Sequence, residues 1–169
     1  VKKIVGTGVL LVLALALQAG VKMYTLKSPD GKVKLEVTAG QGIAYSLFYD
    51  GRLLLKPSRI ALHTDLPEAD HWENIRITGT KQRHVSETVQ APFYRVKEFG
   101  IDCNELELRL NNGFSLLMRA YNDGMAYRFV AGRKGEMTVV EERAEFNFAD
   151  DFEAYIPYST NPKDPWNMA

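Results

Sequence analysis

Asp70-His71-Trp72-Glu73 is the chain's most chemically dense tetrapeptide. Its carboxylates can accept hydrogen bonds from ligand hydroxyls. An open indole face can stack on a sugar ring, so Trp72 is a candidate substrate-side residue. The plainer reading is a polar loop held down by one packed Trp. Trp166, in the loop Ser159 to Ala169, poses the same choice. Paired carboxylates do general acid–base work only when they face each other across a reacting bond. Glu105 and Glu107 sit two apart, alternating with leucines, and read as a solvated strand face. Glu141 and Glu142 point to opposite faces of an extended chain. Asp150-Asp151 reads as a turn. None makes a persuasive acid–base pair. His63, His71 and His84 lack the close spacing of a metal-binding helix. Cys103 is the lone cysteine, so no internal disulfide is available. It reads as an unreactive, half-buried thiol.

The elements that would position these groups are strands. Val33, Leu35 and Val37 alternate with Lys34 and Glu36. Ile43, Tyr45, Leu47 and Tyr49 repeat the pattern up to Asp50-Gly51, so 43–55 reads as a hairpin. Pro57-Ser58 is expected to break the sheet before Ile60 to Leu62. Residues 64–74 form a polar loop. Ile75 to Thr78, Val85 to Val89 and Phe93 to Phe99 read as separate strands. Leu106, Leu108 and Leu110 give a clean period of two, and Asn111 to Gly113 turns the chain back into Phe114 to Tyr121. Asn122-Asp-Gly124 is a turn in which Gly124 is expected to take positive φ. Met125 to Val130 and Met137 to Glu141 follow as strands, with one or two more between Phe146 and Ile156. Arg119 and Arg128 flank the Asn-Asp-Gly turn and can pair with carboxylates on neighbouring strands or face a further domain. No stretch after residue 20 has helical apolar spacing over three turns. Short strands punctuated by Gly, Asn, Asp and Pro predict an all-β antiparallel sandwich or barrel.

The N-terminus differs. Lys2 and Lys3 precede an uncharged run, Ile4 to Leu17, of the length of a signal-peptide core and short for a membrane span. Residues 1–20 are therefore expected to be a signal peptide. The rest, 21–169, reads as one domain of a secreted or periplasmic protein. Lys+Arg and Asp+Glu balance at 21 each, so the chain has no electrostatic reason to seek nucleic acid.

Four segments in order carry a family resemblance: Ser28-Pro-Asp-Gly-Lys32, Asp50-Gly51 with Leu54-Leu-Lys-Pro57-Ser58, Tyr121-Asn-Asp-Gly-Met-Ala-Tyr-Arg-Phe129, and Ala154-Tyr-Ile-Pro157. From Tyr24 to Ala169 the chain resembles the N-terminal domain of glycoside hydrolase family 97. The resemblance implies a β-super-sandwich of the galactose-mutarotase-like kind. It implies a non-catalytic domain packing on a (β/α)8 barrel that follows Ala169, carries the catalytic carboxylates and hydrolyses terminal α-linked glucose or galactose in oligosaccharides. It also implies calcium in the full enzyme. In the family one glutamate ligand follows the stretch matching Tyr155-Ile-Pro157. The corresponding loop here has no Glu, so that ligand is expected after Ala169, with Asp164 as the substitute to consider. Asp164 and Trp166 are thus candidate substrate-side or interdomain residues. The alternatives are a free-standing carbohydrate-binding sandwich using Trp72 or Trp166, and a mutarotase-like domain, which requires a His and a carboxylate converging in a cleft.

Overall fold

The computed structural model describes residues 22–93, 95–153 and 155. Residues 1–20, expected to be a signal peptide, and Asp164 and Trp166 lie outside the described residues. Among the described residues nine strands run in order: β1 Met23–Lys27, β2 Val33–Gly40, β3 Gly42–Tyr49, β4 Arg52–Thr64, β5 Ile77–Gln90, β6 Glu98–Leu110, β7 Phe114–Tyr121, β8 Gly124–Ala131 and β9 Val139–Ala144. One sheet has the order β1-β2-β3-β4-β9, the other β5-β6-β7-β8, and all pairs are antiparallel. The two sheets form a β-sandwich.

The period-two residues build the core. Val33, Leu35 and Val37 of β2 are buried, as are Leu106, Leu108 and Leu110 of β6 and Leu116, Met118 and Ala120 of β7. Each such aliphatic side chain contributes about 1.5–3 kcal/mol by leaving water. Aromatic rings bridge the layers. Tyr45 of β3 lies 6.2 Å from Tyr127 of β8, and Tyr127 lies 6.0 Å from Phe129.

Several local expectations change. Pro57 does not end a strand, because β4 runs through it. The β3–β4 register slips there: Tyr45 faces Ser58 and Leu47 faces Leu55, so Lys56 and Pro57 share a bulge opposite Ser46. A proline lacks the N–H a regular ladder needs, and a bulge removes that requirement. The separate strands expected at Ile75 and Val85 are one strand, β5. The segment Phe93 to Phe99 is mostly the turn of the β5–β6 hairpin, closed by Ala91 N–H donating to Lys97 O at 2.7 Å. β1 was missed, because five residues between the expected leader and the Ser28 turn carry little pattern. After β9 the described chain makes only an isolated bridge, Leu55 to Phe148, where one or two strands were expected.

The turns follow their chemistry unevenly. Asp50 and Gly51 have φ of 48° and 79° between the paired Tyr49 and Arg52, the left-handed geometry of a two-residue hairpin. Gly124 is instead a strand residue paired with Tyr121, and it lacks the expected positive φ. Asn122 Oδ1 accepts the Asp30 N–H at 3.0 Å, so this turn also ties the sheets together at one end of the sandwich.

Candidate functional site

The loop between β4 and β5 closes the other end. Ala69 and Asp70 N–H groups both donate to Leu66 O, at 2.9 and 3.1 Å, which makes residues 66–70 a tight turn. Asn112 Nδ2 donates to Ala69 O at 3.2 Å, and Ile75 N–H to Gly40 O at 2.9 Å. At the outer rim Arg133 pairs with Glu68 at 2.8 Å. Trp72 is the anchor. It is 6% exposed, its Nε1–H donates to Leu62 O at 3.0 Å, and its ring lies 5.2 Å from Phe129 and 6.1 Å from Phe114. An indole so enclosed has no open face for a pyranose. In this structure Trp72 takes the packed reading and is a core residue.

Around this anchor opens a polar cleft of about 840 Å³, lined by His63, Asp70, His71, Glu73, Arg76 and Asn111 among others. His63 comes from the end of β4, and its Nδ1 lies 2.7 Å from Asp70 Oδ1. A carboxylate only accepts, so Nδ1 carries the proton and Nε2 is left as the acceptor. Glu73 and the Arg76 side chain have no hydrogen-bond or ion-pair partner among the described residues. The cleft therefore offers donors and acceptors suited to hydroxyls, and a His–carboxylate pair able to take a proton. The seven-residue separation of His63 and Asp70 spans a strand end and a turn, so no local pattern in the sequence announces their meeting.

A second polar cluster sits on the outer face of the β5–β8 sheet. Glu105 of β6 is 4% exposed, which corrects the solvated-face reading. Its two oxygens accept from Arg83 Nε on β5 and Arg119 Nε on β7, each at 2.7 Å. Register dictates this, since Arg83 and Arg119 are its direct neighbours on either side. Burial pushes the Glu105 carboxyl up, but the hydrogen bonds and charges of the two guanidiniums outweigh that and hold it below its usual value. Glu105 in turn holds Arg119 even more firmly protonated. Beside it Cys103 is fully buried, and burial pushes its thiol up, away from the reactive thiolate. Glu142 of β9 accepts from Tyr127 Oη at 3.3 Å, and burial, aided by that carboxylate, pushes the phenol up to about 12. Asp150 pairs with Arg52 at 3.4 Å. Each of these carboxylates serves a structural contact. Among the described residues no group of three or more His, Cys, Asp or Glu is placed to hold a metal ion.

A sandwich in which one buried carboxylate, Glu105, ties three strands together invites comparison with known domains. The family model described as "Glycosyl-hydrolase 97 N-terminal" matches residues 26–167. The chain belongs to this family. A retaining alpha-galactosidase of Bacteroides thetaiotaomicron is 40% identical over 151 residues, which cover 89% of the chain and 22% of that protein. A probable retaining alpha-galactosidase of Streptomyces bingchenggensis is 26% identical over 132 residues, 76% of the chain and 20% of that protein. This GH97 N-terminal domain therefore spans about a fifth of the length of the relatives it matches. Among solved structures, a beta-arabinopyranosidase is similar with a TM-score of 0.65 and 25% identity, over 74% of this chain and 21% of that one. A glycoside hydrolase family 97 enzyme from Pseudoalteromonas sp. strain K8, in complex with panose, gives a TM-score of 0.62 at 19% identity, over 75% of this chain and 20% of that one. The last likeness supports the sandwich fold.

Proposed function

We propose that this GH97 N-terminal domain is the non-catalytic front section of a secreted α-glycosidase. In this reading it packs on a catalytic barrel and helps shape that barrel's active site. The substrate is a terminal α-linked sugar of an oligosaccharide, galactose or glucose, and the two α-galactosidase relatives favour galactose. The observation that carries the reading is the use of the carboxylates. Glycoside hydrolysis needs two carboxyl groups about 5–10 Å apart across the scissile bond. Glu105 is held between two strands, and Glu142 and Asp150 make surface contacts. Glu73, without a partner among the described residues, shares its cleft with an Asp70 already bonded to His63 rather than with a second free carboxylate. The reacting pair is then supplied by polypeptide outside this chain. The apolar run Ile4 to Leu17 supports export to the periplasm or beyond. In this reading the full enzyme binds calcium through ligands that lie mostly outside this chain, in keeping with the want of any group of three or more His, Cys, Asp or Glu placed for a metal among the described residues.

Complementation tests this reading. Removing residues 22–155 from the longer protein should abolish hydrolysis of 4-nitrophenyl α-galactoside and α-glucoside, and co-expressing the chain in trans should restore it. Undiminished activity without the domain would contradict the proposal.

The cleft at His63 and Asp70 favours a second reading, a carbohydrate-binding sandwich in its own right. Calorimetric titration of the chain with maltooligosaccharides or galactosides, with Asp70→Ala as the control, separates the two. Saturable binding lost in the variant would favour the second reading.

A further inference from the structure

The β5–β6 hairpin outgrows its sheet. β7 pairs with β6 only from Asn104 to Arg109, whereas β5 and β6 continue together through six more pairs, Val85↔Cys103 to Gln90↔Glu98. That is about 20 Å of two-stranded ribbon, and a two-stranded ribbon standing alone is marginally stable in water.

The apolar face of the ribbon also changes sides. Within the sandwich the even-numbered residues of β6, Leu106, Leu108 and Leu110, face the core. Along the arm the apolar positions are odd: Phe99, Ile101 and Cys103 on β6, with Val89 opposite Phe99 and Val85 opposite Cys103 on β5, while Glu87 lies opposite Ile101 on the same face. The even positions there are polar, and His84 contacts Asn104 and Asp102 at 3.1 Å. Residues one apart on a strand point to opposite faces. The arm's apolar stripe therefore faces away from the β1–β4 sheet, on the same side as Glu105. Its inner end, Val85 and Cys103, is buried, while its outer end projects past β7, beyond the reach of the sandwich core. Val89 is 39% exposed on this stripe, and Phe93 at the hairpin turn is 98% exposed. On the same face Arg128, opposite Leu117, has no hydrogen-bond or ion-pair partner among the described residues.

We infer that this face of the arm is the docking surface for polypeptide that follows this domain in the longer protein, an inference that rests on the reading proposed above. Two observations select that occupant. The related proteins are about five times longer than the region matched. The described chain leaves the sandwich at the end where the arm projects: Asp150 pairs with Arg52 beside the β3–β4 turn, Asp50 N–H bonds Lys32 O, and Asn104 Nδ2 at the root of the arm bonds Lys27 O. The docked segment covers Val89 and Ile101.

Hydrogen–deuterium exchange on the 169-residue chain and on the longer protein tests this. Peptides spanning 84–103 should exchange quickly in the chain and roughly 100-fold more slowly in the longer protein. Val89→Asp and Ile101→Asp should remove that slowing while leaving Phe114–Tyr121 protected and the far-ultraviolet dichroism of the chain unchanged. Equal exchange of the arm in both proteins would overturn the inference. So would protection in the chain alone that rises with its concentration, since a second copy would then be the occupant. An arm protected in a longer protein that lacks glycosidase activity would count against the proposed function and leave the docking surface standing. An active longer protein with an unprotected arm would do the reverse.

Discussion

Glu105 shows how neighbours reassign a residue's role. Alternation with leucines places it on the outer face of β6, where a carboxylate is ordinarily solvated. Arg83 and Arg119, one on each adjacent strand, enclose it instead. Replacing the carboxylate by an amide leaves one acceptor oxygen for two guanidiniums and sets an NH2 donor against the other, and the Arg119 side chain is only 23% exposed. Glu105→Gln should therefore cost about 1–3 kcal/mol in urea unfolding. The same pair sets an acid dependence. The folded carboxyl titrates below its unfolded value of about 4.3. Its stabilisation is thus complete above that value and is lost as pH falls through the lower folded value. Glu105→Gln should shrink the loss of stability between about pH 5 and pH 3, as measured by urea midpoints across that range. Arg119 had carboxylate pairing among its readings in the sequence. Glu105 did not, because strand neighbours on both sides become visible only once register is known.

At the scale of elements, close approach decides what each connection tolerates. Gly132 N–H donates to Gly113 O at 2.9 Å where the β7 and β8 ends meet, and a Cβ on Gly132 would stand 2.8 Å from that oxygen. Backbone cannot swing aside as a flexible side chain can. Gly132→Ala should cost about 1–3 kcal/mol, read as a lower thermal midpoint. The strands with a clean period of two, β2, β3, β6, β7 and β8, were legible in the sequence because one side of each lies on the core. The misread segments share a physical cause. Pro57 breaks a regular ladder but sits in a bulge whose presence depends on the neighbouring strand. Phe93 and Phe99 are aromatic, as strand residues often are, yet they belong to a hairpin end whose apolar character serves contacts beyond the sandwich. The strand expected at Met137 to Glu141 is present as β9, shifted to Val139–Ala144; it is exposed along its whole length, including Val139 and Val140, so no inner face marks its bounds. His63 and Asp70 meet through the turn at 66–70, which the sequence marked only as a polar loop.

As a whole the molecule is a closed core with unfinished surroundings. Its two sheets bury a continuous apolar interior, while the arm, the β9 edge and Phe146 and Phe148 present apolar side chains outward. This combination suits a domain that folds on its own sheets and meets further polypeptide at its margins. The family was legible from four short segments in order, since turns such as Ser28 to Gly31 and Asp50-Gly51 carry backbone constraints that strands do not. The chemistry was not legible, because the buried carboxylate Glu105 serves the sandwich and no two free carboxylates face each other among the described residues that line the cleft. The most direct measurement is release of nitrophenol from 4-nitrophenyl α-D-galactopyranoside and the α-glucopyranoside by the purified, folded 169-residue chain, with calcium present. The account predicts a rate equal to the uncatalysed background. Steady turnover abolished by Asp70→Asn or His63→Ala would contradict it and place a catalytic centre in the cleft beside Trp72.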